Sequence, residues 1–168
     1  MPTNRTAMRR SRGFSLTELL IAFAVLGILT AIALPSYRGY VERTNRTVAK
    51  TALSEIASRQ ESYATDHKGY ASSLAALGYN SSGSTYLNSQ GSISASSTGA
   101  LYTLSLTALP TSGGLGNCSA LTGTPNARSY AIRAVPYASR IDQTCGTLCI
   151  GSNGDRGATG GADSCWQR

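Results

Sequence analysis

A single histidine, His67, a single tryptophan, Trp166, and 8 acidic residues in a chain of 168 leave little from which to build an active site. One imidazole cannot supply the multi-histidine ligand sets of common catalytic zinc centres, and the four cysteines show no Cys-x-x-Cys spacing. A metal site therefore has no support. His67 lies in an Asp66-His67-Lys68-Gly69 context at an expected helix end, where it reads as a surface residue, and no serine or cysteine is placed beside it. With neither an activated nucleophile nor a convergent acid–base pair, the chain reads as a non-enzyme without cofactors. The glycines at 151, 154, 157, 160 and 161 are not followed by Gly-Lys-Ser/Thr and carry no proline at triplet spacing, which excludes a phosphate loop and a collagen repeat. Asp155 and Asp163 lack the alternating oxygen spacing of a calcium loop.

Charge is sparse and unevenly placed. The formal net is +7, but Arg5, Arg9, Arg10 and Arg12 lie in the first 13 residues with no acid among them; without these four, 11 basic residues face 8 acidic ones, a net of +3. So small a surplus disfavours a dedicated nucleic-acid fold. What the sequence does have is a long apolar run. Leu19 to Leu34 contains one polar side chain, Thr30, and extended back to Phe14 the run is long enough, at about 31 Å of helix, to span a bilayer core. The arginines before it keep the tip cytoplasmic, so the remainder is exported and the cysteines enter a disulfide-permissive compartment.

Two fates are open to this segment. Ala31-Ile32-Ala33 has the small-x-small form of a secretory cleavage site, which would discard the helix and leave Leu34 as the new terminus. Glu18, however, is an acid inside the margin of the apolar run, and secretion gives it no role. An ionisable residue in such a place is by default functional and wants a partner.

Gly13-Phe14-Ser15-Leu16-Thr17-Glu18-Leu19 ahead of an apolar run resembles the prepilin signature of type IV pilins and their relatives, the prepilin-type N-terminal methylation family. The resemblance covers residues 9 to 70 closely and the rest loosely. It implies a leader of residues 1–13 removed by a membrane peptidase after Gly13, N-methylation of Phe14, an assembly role for Glu18, and helix flexibility at Gly27 and Pro35. It further implies a transmembrane and assembly helix over 14–35, then an amphipathic helix and exported head over 36–168. Cleavage would create an ammonium on Phe14, and the Glu18 carboxylate of one subunit could meet the ammonium of another across staggered helices. Three pairings of the cysteines are open; the resemblance implies Cys145 with Cys165 and Cys118 with Cys149, which gives a disulfide-closed C-terminal loop.

After Pro35 the chain turns polar but keeps apolar positions at Val41, Val48, Ala52, Ile56 and Tyr63, the pattern of an amphipathic helix. Phe14 to Asp66 as one helix would be about 80 Å long. Arg38, Glu42, Arg43, Arg46, Lys50, Glu55 and Arg59 read mainly as solvated or as facing neighbouring subunits. Residues 80–100, rich in Ser, Gly, Thr and Asn, read as exposed loop, and the glycine-rich stretch after Cys145 reads as turns. Strands are expected over Leu101–Leu109, Tyr130–Val135 and Thr147–Ile150. The expected fold is α+β, a long N-terminal helix packed on a small antiparallel sheet.

The function implied is a structural subunit, a minor pilin, of a type IV pilus that supports adhesion, twitching motility or DNA uptake. Its partners would be other pilin subunits, the prepilin peptidase and, before assembly, inner-membrane lipid. It would be a single-pass inner-membrane protein with its head outside the cytoplasm, and then part of an extracellular filament. The stretches from Arg43 to Arg46, Arg59 to Tyr63 and Leu77 to Tyr79 look most like minor subunits. Two alternatives stand: a pilin-like DNA-uptake receptor, which should present an Arg/Lys stripe drawn from Arg128, Arg133, Arg140, Arg156 and Arg168, and a type II secretion pseudopilin. Because Asp142, Asp155 and Asp163 interleave with those arginines, weak DNA binding at most is expected.

Overall fold

The computed structural model describes residues 13–79, 83–110, 114–116, 118, 121–138 and 141–167, with the backbone alone at 162 and 163. The basic leader, Arg140 and Arg168 lie outside the described residues. Helix α1 spans Leu16–His67. The chain divides into a unit ending at Gly39 and a second unit, Tyr40–Arg168.

In the first unit every side chain from Phe14 to Arg38 is exposed, Phe14 at 85%. The first turn of α1 is entered at Ser15, whose carbonyl accepts the Leu19 N–H and whose hydroxyl lies 2.8 Å from that of Thr17. Ser15-x-x-Glu18 has the spacing of a capping box. The serine hydroxyl nevertheless pairs with Thr17, which leaves the Glu18 carboxylate to solvent. This stretch of α1 is long and apolar enough to cross a membrane. Pro35 sits inside the helix, where it removes one backbone donor. Thr30 donates its hydroxyl to the carbonyls of Leu26 and Gly27, at 2.8 and 2.9 Å.

In the second unit α1 buries Ala49, Ala52, Leu53, Ile56 and Gln60, the i, i+3, i+4 pattern of one helical face. The expected stripe is shifted. Ala52 and Ile56 are buried as expected, Val48 and Tyr63 only partly, and Ala49 and Leu53 complete the face. Gln60 is the unexpected member, fully buried and satisfied by Ala71: its amide donates to the Ala71 carbonyl at 3.0 Å and accepts the Ala71 N–H at 2.8 Å. That pair fixes the chain where it leaves the helix. A short 3-10 turn, Ala75–Leu77, follows and ends at Gly78, whose φ of 83° only glycine adopts cheaply.

Six strands follow: β1 (Thr85–Asn88), β2 (Ile93–Ser94), β3 (Ala100–Thr107), β4 (Ala131–Pro136), β5 (Leu148–Gly151) and β6 (Arg156–Ala158). They form one antiparallel sheet in the order β2-β1-β3-β4-β5-β6. Helix α2 (Ala162–Trp166) closes the described chain. The three expected strands are present, shifted by a residue or two. Two expectations need correction. Residues 80–100 are not all loop, since Thr85 and Leu87 point into the core and Asn88 closes the β1–β2 turn by accepting the Gln90 and Ser92 N–H groups. Beyond the expected strand at 147–150, the glycine-rich run after Cys145 likewise contains β6 and α2.

Alternation along the strands divides the sheet into two faces. Leu87, Tyr102, Leu104, Ile132, Ala134, Leu148, Ile150 and Ala158 pack with the buried face of α1. The opposite face holds a smaller cluster of Leu115, Cys118, Leu121, Ala131 and Cys149. Disulfides join Cys118 to Cys149 and Cys145 to Cys165, with Cα separations of 5.9 and 5.7 Å. Gly157 on β6 lies against the first bridge, where an added Cβ would come within 2.7 Å of the Cys149 sulfur and of the Gly116 carbonyl. Gly157→Ala is therefore expected to destabilise the fold by about 1–3 kcal/mol through overpacking. A fall of several degrees in the melting temperature, with both disulfides intact by peptide mapping, checks this.

Candidate functional site: an apolar assembly helix and a basic cluster on the head

Two surfaces have the chemistry to act. The first is the exposed apolar helix from Phe14 to Leu34 with Glu18 near its start. The Glu18 side chain is exposed and takes part in neither ion pair found among the described residues. Gly13 and Phe14 precede the first helical turn in irregular, exposed backbone. Gly27 has open space around the position a Cβ would take, so no packing within the chain demands glycine there.

The second surface is where α1 meets the C-terminal region. The reading of its charges as solvated is corrected here. Glu42, Arg46 and Lys50 follow one another at four-residue spacing on one face of the helix, and each grips the segment from 142 to 167. Glu42 accepts from the Thr144 hydroxyl at 3.3 Å. Arg46 holds Asp142 with two parallel hydrogen bonds of 3.0 and 2.9 Å. Lys50 donates to the Gln167 carbonyl at 3.4 Å. Asp142 is 2% exposed and also accepts the Cys145 N–H at 2.8 Å and the Tyr102 hydroxyl at 3.4 Å. The hydrogen bond to Asp142 raises the Arg46 pKa against the opposing effect of burial.

Beside this hub, Trp166 has two cations over its ring: the Arg156 guanidinium at 5.3 Å and the Lys50 ammonium at 5.9 Å from the centroid. The indole N–H donates to the Gly157 carbonyl at 2.8 Å, which fixes the ring. Burial lowers the Lys50 pKa, Arg46 and Arg156 lower it further, and Asp142 partly opposes them.

Of the arginines anticipated as a stripe, Arg128, Arg133 and Arg156 are described, and the first two have separate surroundings. Arg133 is partly buried and donates to the Leu121 carbonyl at 2.8 Å, with its Nε enclosed and unpaired. Arg128 is exposed on the turn that Asn126 organises. Of the interleaved acids, Asp142 is neutralised by Arg46, and Asp155 accepts from the Asn153 side chain at 2.7 Å in the β5–β6 turn. His67 is exposed and stacked on Tyr63 with 3.9 Å between ring centroids.

Burial also governs the tyrosines. Tyr79 is pushed up to about 12, and Tyr102 and Tyr130 are raised further, burial being the largest cause in each. Since these folded values exceed the unfolded one near 10, the native state holds protons that the unfolded chain has released above that pH. Stability is thus expected to be complete below pH 10 and to fall steadily as pH rises towards 12, which denaturant midpoints measured across that window can check.

Comparison with known proteins agrees with this geometry. The family described as type IV minor pilin ComP, DNA uptake sequence receptor, matches residues 35–149, and the prokaryotic N-terminal methylation motif matches residues 8–34. The fimbrial protein EcpC of Eikenella corrodens is 33% identical over 122 residues, covering 71% of this chain and 79% of that protein. The type IV wide pilus major component PilA4 of Thermus thermophilus is 40% identical over 70 residues, or 42% of this chain and 53% of that one. The type IV major pilin protein PilA of Myxococcus xanthus is 36% identical over 70 residues, again 42% of this chain and 32% of the relative. The chain thus spans about half of the Thermus protein and a third of the Myxococcus one. An N-terminal methylation motif, an apolar helix and an antiparallel sheet together define the class of type IV pilins. Within that class the chain belongs to the ComP minor pilin family.

Proposed function

We propose that this chain is a minor structural subunit of a type IV pilus, held in the inner membrane by α1 until it is assembled into an extracellular filament. The observation that carries the reading is the apolar surface of α1, exposed from Phe14 to Leu34 and bearing Glu18. Such a surface is stable in lipid or against the same surface of other subunits, and in neither case is it left in water. Processing by a prepilin peptidase between Gly13 and Phe14, N-methylation of Phe14 and pairing of its ammonium with Glu18 of a neighbour complete the reading. Gly27 and Pro35 would let the helix adjust between membrane and filament. Immunogold imaging of filaments sheared from cells that carry or lack this chain tests it. Label along or at the end of filaments in the first strain alone is expected, and label confined to membrane fragments would refute assembly.

A second role is favoured by the family match over residues 35–149, whose description names a DNA uptake sequence receptor. The head would then bind DNA while the helix holds it in a filament. Duplex binding by the full-length protein in detergent micelles, titrated with salt, tests it.

A further inference from the structure

Three polar clusters of the head remain outside the assembly reading. Glu61 accepts the hydroxyls of Tyr70 and Tyr130, and Asp142 accepts from Arg46 and Tyr102, so both of these carboxylates are already satisfied. The third cluster differs, because it collects like charges that form no ion pair among the described residues. Lys50 and Arg156 converge on the ring of Trp166. Arg156 is exposed on the edge strand β6, while Lys50 and Trp166 are half-buried. The indole face attracts both cations, and its N–H bond to Gly157 holds it still between them.

We propose that Lys50, Trp166 and Arg156 form one contact site for the phosphate backbone of DNA, and that the Cys145–Cys165 disulfide positions it. The proposal rests on the DNA-binding role above and supplies its contact residues. Two cations that repel one another next to a partly desolvated ring gain most from an anion that touches both, and consecutive phosphates of a strand provide that. Burial is the main cause of the lowered Lys50 pKa, and the neighbouring Arg46 and Arg156 charges add to it.

The bridge enters because Cys165 immediately precedes Trp166, and its partner Cys145 donates its N–H to Asp142. Arg46 holds Asp142 one helical turn before Lys50. Closing the disulfide thus ties the indole to the turn of α1 that carries its second cation. The sequence signal was Trp166 next to the last cysteine, with the basic Lys50 and Arg156 far apart along the chain.

The test uses full-length protein in nonionic detergent micelles and fluorescently labelled duplexes of several sequences, followed by anisotropy from low to physiological salt. Wild-type protein is expected to bind, with DNA changing the emission of Trp166, the only tryptophan in the chain. Lys50→Gln with Arg156→Gln should weaken binding about tenfold or more and lower the salt slope by about 2, one unit per phosphate contact. The loss should be equal for all sequences, because phosphate contacts carry no base information. Arg128→Gln, an exposed cation outside the cluster, should change affinity less than twofold.

Cys145→Ser with Cys165→Ser should bind as weakly as the double charge variant. Trp166→Leu, which keeps the bridge, should weaken binding in the same direction without loss of fold. Failure of wild-type protein to bind any duplex at low salt would remove both the DNA role and this site. Wild-type binding that survives the Lys50 and Arg156 changes with an unaltered slope would remove the site alone. Equal loss from Arg128→Gln would likewise overturn it, since net charge and not the cluster would then govern affinity.

Discussion

Glu18→Ala should leave the protein processed, membrane-resident and fully folded in its head, yet reduce its incorporation into filaments by an order of magnitude or more. The expectation follows from where the charge sits. Glu18 lies in the exposed apolar stretch of α1, in the other unit from the residues that pack the sheet. If its carboxylate neutralises the Phe14 ammonium of a neighbouring subunit, removing it strands a cation in an apolar bundle. A cost of about 2 kcal/mol, modest for an unpaired charge near the edge of such a zone, is on the order of a thirtyfold loss of subunit affinity. Quantitative blotting of sheared filaments against membranes, with wild-type and variant chains co-expressed, measures this. Equal incorporation of the two would remove the pairing while leaving the membrane role intact.

Arg46→Ala carries the largest expected effect on stability. Its partner Asp142 has a fully buried side chain, and the bidentate pair anchors the segment that leads into the Cys145–Cys165 bridge. Removing one member of a buried pair leaves an uncompensated charge, which costs about 3–5 kcal/mol. Because Arg46 is itself slightly exposed and Asp142 keeps two other donors, a value near 3 kcal/mol is expected. The Arg59–Glu55 pair is the internal control. Both of its members are about half exposed at four-residue spacing, where such pairs contribute about 0.3–0.5 kcal/mol. Urea unfolding of the two alanine variants should therefore separate them clearly, and equal midpoints would show that the hub contributes no more than a surface pair.

The parts of this fold that could be read in the sequence are those with a strong local signal. The 21-residue apolar run, the helical face around Ala52 and Ile56, and β3 with its alternation of Tyr102 and Leu104 all declare themselves over short windows. β1 and β2 do not, because Tyr86, Leu87 and Ile93 are isolated among Ser, Gly and Asn and owe their strand conformation to pairing with β3 and with each other. β6 is three residues around Gly157, whose glycine reflects the close approach of a disulfide and not a turn. Of the site, Gly13, Phe14 and Glu18 were visible as a motif. The roles of Glu42, Arg46 and Lys50 were not, since their partners lie about 100 residues further along the chain. A charged residue on an amphipathic helix reads as solvated until the fold shows what faces it, and here a stripe of three was found to grip the C-terminal region.

The central claim is that α1 is kept and used as an assembly helix. Intact mass and terminal sequencing of the chain recovered from sheared filaments test it most directly. The expected product begins at N-methylated Phe14. A chain that begins at Leu34 would mean that the apolar helix is discarded as a secretory signal, and would contradict the account.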